Sequence, residues 1–164
     1  MGEIAVIKNG LSNVEDAKED GKYLFFDRSE VVKKSNKFIF DTEAIIFAGE
    51  GSNFYPKYYK GKFDLHQRAY AIHKFDNING KFLYYLLSLE KVNQYFKKIA
   101  VGTTVKSLRL PHFEKLKIHI PPTLAEQEKI ASFLSSIDEK IELNEQVLNK
   151  MKEYKRGLLQ KMFV

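Results

Sequence analysis

The 164-residue chain has no cysteine, no tryptophan and only four prolines. Without cysteine there can be no disulfide framework and no thiolate ligand set for zinc, and a reducing compartment suits it. Long apolar runs are also missing: no stretch reaches the ~18 residues that would mark a membrane-spanning helix. The opening Met1-Gly2-Glu3-Ile4-Ala5-Val6 lacks the basic region and hydrophobic stretch of a secretory signal, so a cytoplasmic location is expected. Acidic residues are scarce in the middle of the chain. Residues 57–117 hold 13 Lys/Arg against 4 Asp/Glu, whereas residues 1–56 hold 7 against 10 and residues 118–164 hold 7 against 7. The net charge of +6 therefore originates in one central segment. Such a concentration suits a polyanion such as nucleic acid. Charge alone does not separate that reading from lysines that only solvate a surface.

Apolar residues are in good supply. They make up 44% of the chain and include 13 Phe and 9 Tyr, enough to bury a core and too many for a disordered chain. The length suits one domain plus an appendage, and Ile120-Pro121-Pro122-Thr123 marks the boundary between them. Two successive prolines forbid a continuous helix across this point. Residues 1–120 read as one domain and residues 121–164 as a helical appendage. The expected class is α+β.

In the first part, Tyr23–Phe26 and Lys37–Phe40 are strand candidates, and Ala44–Ala48 reads as a buried strand. Gly49–Asn53 then reads as a loop. Strand character returns at Ala69–Ile72. Asn79 is placed to cap a helix over about 80–98, with Phe82, Leu86, Leu89 and Phe96 on one side. Leu110-Pro111 opens a helical turn, and Lys117–Ile120 is a last strand candidate.

The second part predicts one long helix from about 124 to 162, with Thr123 and Glu126 spaced as a capping box. Its seam alternates steps of four and three: Ile130, Leu134, Ile137, Ile141, Asn144, Leu148, Met151, Lys155, Leu158, Met162. Eight of these ten positions are apolar, and the 3.5-residue period is that of a coiled coil. Phe133, Val147 and Tyr154 widen the stripe. About 38 residues at ~1.5 Å each reach ~57 Å, far beyond a domain of ~120 residues with a radius of gyration of ~14 Å. Much of the stripe therefore needs another helix, and a homodimer is expected. Asn144 is a candidate for fixing the register.

Catalytic constellations are hard to find. His66, His73, His112 and His119 fit no metal spacing. Asp64 and His66 alternate along a possible strand, but no nucleophile accompanies them. Gly49-Glu50-Gly51 is neither a dinucleotide nor a P-loop signature. The chemistry that remains is binding chemistry. Asn53, Tyr55, Lys57, Tyr58, Lys60, His66, Gln67 and Arg68 interleave polar, basic and aromatic groups, and Thr103, Thr104, Lys106 and Arg109 form a second set. Lysines and hydroxyls hold phosphates, while Asn, Gln and Arg match purine edges. Some of the tyrosines are expected in the core instead.

Two stretches carry a resemblance. The first is Ala48-Gly49-Glu50-Gly51-Ser52-Asn53 with Gly61-Lys62-Phe63-Asp64-Leu65-His66-Gln67-Arg68-Ala69-Tyr70. The second runs from Gly102-Thr103-Thr104-Val105-Lys106 through Lys117-Ile118-His119-Ile120-Pro121-Pro122 and Glu126-Gln127-Glu128-Lys129-Ile130-Ala131. It ends at Tyr154-Lys155-Arg156-Gly157-Leu158-Leu159-Gln160-Lys161-Met162-Phe163. Together they resemble the DNA-specificity (S) subunit of type I restriction–modification enzymes over nearly the whole chain. The resemblance implies a target recognition domain that reads half of a split site in double-stranded DNA, followed by a conserved spacer helix. It implies no catalysis and no cofactor on this chain. S-adenosylmethionine would sit on partner methyltransferase subunits, which methylate adenine, and restriction subunits would join the assembly. A usual S subunit carries two such units with antiparallel helices. This sequence carries one, as expected of a half-length subunit, a truncated product or a fragment.

Three functional classes follow. One is a DNA-reading subunit. Another is an S-like assembly module that binds methyltransferase or another S chain without strong readout. The third is an enzyme, for which the adenine-methyltransferase signature of Asn or Asp before Pro-Pro and an aromatic is missing at Ile120-Pro121-Pro122-Thr123. Salt-dependent affinity for duplex DNA separates the first two, and methyl transfer by the chain alone would mark the third.

Overall fold

Nine residues, Phe40–Ala48, form β4, the strand on which the rest of the sheet is hung. Strand side chains alternate between faces, yet Ala44, Ile45, Ile46 and Phe47 are all buried. Both faces of β4 are covered, which is why it reads in sequence as an unbroken apolar run. The structure is a computed structural model and describes residues 1–163. β4 is flanked by β7 (Ala69–His73) and β6 (Lys57–Leu65), both antiparallel to it. β1 (Val6–Asn9) lies beyond β7, while β2 (Tyr23–Phe26) and β3 (Lys33–Ser35) lie beyond β6, giving the order β1-β7-β4-β6-β2-β3. β2 runs parallel to β6, so the sheet is mixed. A second, two-stranded sheet pairs β5 (Glu50–Gly51) with β8 (Lys106–Ser107).

One face of the large sheet is covered by α1 (Gly80–Leu87), α2 (Glu90–Ile99) and α3 (Leu110–Glu114). Ile45, Phe47, Ile72, Leu83, Leu87, Phe96 and Phe113 form this core. Phe47 meets Phe96 and Phe113 at ring-centroid distances of 5.5 and 5.4 Å, within the favoured range for tilted aromatic pairs. The other face buries Phe26, Ala44, Ile46, Phe63, Leu65, Ala69 and Ala71, all from strands. Leu24, Val32, Ile39, Phe40 and Tyr59 pack against it. Gly61, at φ 136° inside β6, occupies a conformation open to glycine and marks a bend in the strand.

Beyond that bend, the end of β6 meets the chain leaving β1. The amides of Leu11 and Ser12 donate to the Leu65 carbonyl at 3.2 and 3.1 Å, and the Gln67 amide donates to the Ser12 carbonyl at 2.9 Å. A Cβ on Gly10 would stand 1.9 Å from the Leu65 carbonyl oxygen, so this approach requires glycine. Buried Asp64 anchors the same clasp, accepting from Ser12 Oγ at 2.6 Å and from the Leu65 amide at 2.9 Å.

Several local readings change. The single helix expected over 80–98 is two helices, because Ser88 turns its hydroxyl onto the Tyr84 carbonyl at 2.8 Å and Leu89 is extended. A serine hydroxyl competing for main-chain groups is a known helix interrupter. Lys117–Ile120 forms no strand, although Ile118 and Ile120 still pack on the core. Of the Lys37–Phe40 candidate only Phe40 is in a strand, as the first residue of β4, while β3 lies before it at Lys33–Ser35. The loop read over Gly49–Asn53 contains the two residues of β5. β1 has little apolar pattern, being mostly exposed, and gave no sequence signal.

The final element, α4 (Leu124–Met162), has 39 residues. Thr123 caps it by accepting from the Glu126 amide at 3.3 Å. Its root is held by Gln127, which is buried. The Gln127 side chain accepts from the Asn79 amide at 2.9 Å and donates to the Pro121 carbonyl at 3.1 Å. Ala131 is buried and Ile130 packs on the core. The Tyr85 hydroxyl donates to Asp138 at 2.6 Å and lies 3.0 Å from Ser135 Oγ. From Glu139 to Phe163 no residue is buried, so about 25 residues, ~37 Å of helix, project beyond the domain.

His73 at the end of β7 is buried, and neither ring nitrogen has a hydrogen-bond partner. Burial lowers its pKa, and Lys74 and Lys8 push it the same way. The unfolded chain therefore takes up the proton first. Stability present above the unfolded imidazole value of about 6.5 should fall as pH drops toward the depressed folded value. Chemical denaturation between about pH 7 and pH 5 should show this slope, and His73→Leu should flatten it.

Candidate nucleic-acid interface

The turn His66–Arg68, between β6 and β7, is gripped from two sides. The Gly10 clasp holds its beginning. Its end is held by Gly49, whose amide donates to the Arg68 carbonyl at 2.8 Å. A Cβ on Gly49 would lie 2.2 Å from that carbonyl oxygen, so glycine is again required for the approach. The Gly49 carbonyl in turn accepts from the Leu108 amide at 2.7 Å. Three segments are thereby stitched together: 49–51, 66–68 and 106–108. The pairing of Glu50 with Ser107 and of Gly51 with Lys106 extends the stitch.

Side chains follow this backbone. Glu50 accepts from Arg68 Nη1 at 3.1 Å, and Arg28 Nη1 approaches it at 3.9 Å. Both guanidinium groups are largely exposed, so one carboxylate orients two cations whose remaining donors face water. Gln67 Nε2 donates to Asn13 Oδ1 at 2.5 Å, and the Gln67 side chain is exposed. His66 accepts the Arg68 amide on Nδ1 at 3.1 Å, which leaves the proton of a neutral ring on Nε2. Lys106 is exposed beside Gly51, and Thr103 and Thr104 are exposed in the turn of the hairpin closed by Val101 and Ser107. Arg109 follows immediately and caps α3, its amide donating to His112 Nδ1 at 3.2 Å.

The other expected site residues lie elsewhere. Lys57 is only half-exposed, and Nζ donates to the carbonyls of Ser29 and Glu30 at 2.5 and 2.9 Å. Burial lowers its pKa, partly offset by Asp27 and Glu30. It braces the loop that carries Arg28. Tyr58 packs on the helix-covered core, and its hydroxyl donates to Glu43 at 2.6 Å. Burial and that carboxylate raise its pKa well above the ordinary phenol value. Lys60 stands two residues further along β6, on the same face as Tyr58 and opposite Glu43 in register. Neither belongs to the group around Glu50. Asn53 and Tyr55 are exposed on the loop after β5. The Tyr55 hydroxyl donates to Glu90 at the start of α2, and Asn93 accepts the Phe54 amide at 2.9 Å.

Sequence reasoning missed Arg28 and Asn13, which sit in the acidic first third of the chain, and the organising part of Glu50. Nothing in linear spacing links them to Arg68. Among the described residues no three His, Asp or Glu side chains converge as a metal site. The grouped side chains are donors and cations set on crosslinked loops, suited to gripping an anionic surface.

The model of the type I restriction modification DNA specificity domain matches residues 1–153. The chain belongs to this family. It is a specificity domain rather than a catalytic one. The specificity subunit of the Escherichia coli type I restriction enzyme EcoDI is 31% identical over 165 residues, spanning 97% of this chain and 36% of that protein. That of the Methanocaldococcus jannaschii enzyme MjaIX is 28% identical over 127 residues, 74% of this chain and 29% of that protein. The crystal structure of a type I restriction–modification S subunit from M. genitalium superposes with a TM-score of 0.73 at 26% identity, covering 85% of this chain and 38% of that one. The specificity domain described here thus spans about a third of the curated relatives it matches. In this structure no helix is long and apolar enough to cross a membrane among the described residues.

Gly49→Ala should damage the stitched rim directly. Overpacking against the Arg68 carbonyl is expected to cost roughly 1–3 kcal/mol, read as a lowered urea midpoint. Gly157→Ala, where nothing lies within 4 Å of an added Cβ, should instead raise it, by roughly 0.5–1 kcal/mol.

Proposed function

We propose that the chain is a non-catalytic, sequence-specific DNA-binding subunit of a type I restriction–modification system, reading one half-site per chain. The match of residues 1–153 to a DNA specificity domain carries this reading. The exposed cations around Glu50 support it physically. Residues 1–120 form the recognition domain, and the segment 121–164, through α4, serves as a spacer for dimerisation and subunit assembly. On this reading the work is done in the cytoplasm, where methyltransferase subunits supply S-adenosylmethionine and adenine methylation, restriction subunits supply cleavage, and this chain carries no cofactor.

Specificity comes from the rim. Arg68, with Arg28 beside it, offers guanidinium groups already oriented by Glu50, and Gln67 offers an amide on the same turn. Bidentate groups of this kind discriminate bases by about 1–3 kcal/mol each. Lys106, Thr103, Thr104 and Arg109 contact phosphates from the neighbouring hairpin and helix cap. Two recognition domains joined through α4 would read inverted half-sites separated by an unread gap.

Two outcomes test the proposal. Arg68→Ala and Lys60→Ala remove the same charge from different faces. Arg68→Ala should weaken duplex binding and reduce the salt slope by roughly one unit if a phosphate contact is lost, while Lys60→Ala should leave both nearly unchanged. Equal effects of the two variants would contradict the placement of the interface. In methylation assays the purified chain alone should transfer no methyl group and should direct adenine methylation only with a cognate methyltransferase.

A further inference from the structure

The projecting part of α4 is self-complementary, and the domain's own packing selects its register. Along the seam Leu134, Ile141, Leu148, Lys155 and Met162 occupy one core position of the heptad, and Ile130, Ile137, Asn144, Met151 and Leu158 occupy the other. An antiparallel two-fold pair sets residues of the first kind against residues of the second. Full heptad steps separate the possible registers, so only a few need comparison.

Centring the pair near Gln146 would use the stripe from its first residue. It sets Ile130 against Met162, Leu134 against Leu158 and Ile137 against Lys155. The structure argues against this. Ile130 already packs on the domain core, and Leu134 is half-buried. The carboxylate of Asp138, which would have to meet Lys152 of the second copy, accepts from the Tyr85 hydroxyl at 2.6 Å. The centre would also oppose Glu145 to itself, and like charges at such positions destabilise. A parallel in-register pair is worse placed still, since it would oppose Lys155 to Lys155 inside the seam.

Moving the axis half a heptad, to between Asn149 and Lys150, uses only residues that the domain leaves uncovered. Ile137 then meets Met162, Ile141 meets Leu158, and Leu148 meets Met151. All six are exposed in the single chain, from 37% at Ile137 to 72% at Met162. The two polar seam residues, Asn144 and Lys155, fall in one layer, where the Asn carbonyl can accept from the ammonium. On the flanks Glu145 meets Lys152, and Val147 meets Tyr154; each contact occurs twice by symmetry. Lys140 against Lys161 is the one repulsive pair in this arrangement, near the outer ends where solvent screens it.

We infer that two copies of this chain pair through α4 in antiparallel fashion with the two-fold axis between Asn149 and Lys150, so that Asn144 of each copy faces Lys155 of the other. This rests on the homodimer reading above and specifies its geometry. A polar layer of this kind holds register, because sliding by a heptad would place the ammonium against an apolar side chain.

The absence of native cysteine makes the test direct, since every disulfide formed must come from introduced thiols. Val147→Cys and Tyr154→Cys chains, both altered at exposed positions, are prepared separately and as an equilibrated mixture, then oxidised. The expected result is a disulfide-linked dimer from the mixture and almost none from either chain alone. A dimer from Val147→Cys alone would place the axis near Gln146 and overturn the register. No linkage in the mixture, with sedimentation still showing a dimer of the unaltered chain, would overturn it as well. A monomer in sedimentation at tens of micromolar would instead remove the homodimer itself, leaving the face to a different helix while the DNA-specificity reading of residues 1–120 stands.

Discussion

The architecture depends on two close main-chain approaches, both made possible by glycine. Gly10 lets the chain after β1 lie against the end of β6, and Gly49 lets the chain after β4 lie against the start of β7. The three-residue turn His66–Arg68, between Leu65 and Ala69, is caught between them. Without either contact, the end of β6 and the turn after it would lose main-chain partners beside the second core of Phe26, Ile46, Phe63 and Leu65. The same clamp fixes the turn carrying Gln67 and Arg68. Fold stability and the placement of these two side chains thus share one set of backbone hydrogen bonds.

Several buried polar groups in this protein serve loops and junctions. Asp64 holds the Gly10 clasp, Asn93 holds the main chain at Phe54, Asp27 binds Lys33 at 2.6 Å, and Gln127 ties α4 to Asn79 and Pro121. Each satisfies a group that would otherwise be costly to bury. A catalytic site arranges such groups around a reacting atom. Here they are dispersed beneath the surface loops and junctions they support.

Long-period features were legible in the sequence. The proline pair, the capping threonine and the 3.5-residue stripe located α4 to within a residue, because a long helix repeats its signal many times. β4 was legible for the opposite reason, being buried on both faces. What escaped depended on partners distant in sequence. β1 is a mostly exposed edge strand. Ser88 ends α1 through a hydroxyl contact that spacing does not announce. Lys57 to Lys62 read as an interleaved basic and aromatic set, yet it is six of the nine residues of β6, whose alternation sends Tyr58 into the core and leaves Lys60 on that same side. Within the candidate site, Gln67, Arg68, Thr103 and Lys106 were nominated from composition. Arg28 and Asn13 were hidden because the acidic first segment masks its own cations. The stripe on α4 looked continuous, and only the fold shows that Ile130 and Ala131 already have a partner in their own domain.

That division of α4 has a mechanical consequence. The helix is clamped over its first four turns and free beyond Asp138, so it acts as a lever with a short seated arm and a long free one. Over ~37 Å, a tilt of about 10° at the root displaces the tip by about 6 Å, roughly the pitch of one helical turn. Gln127, Ser135 and Asp138 occupy the seat of that lever. Small changes in how Tyr85 and Asn79 hold them would be magnified at the far end.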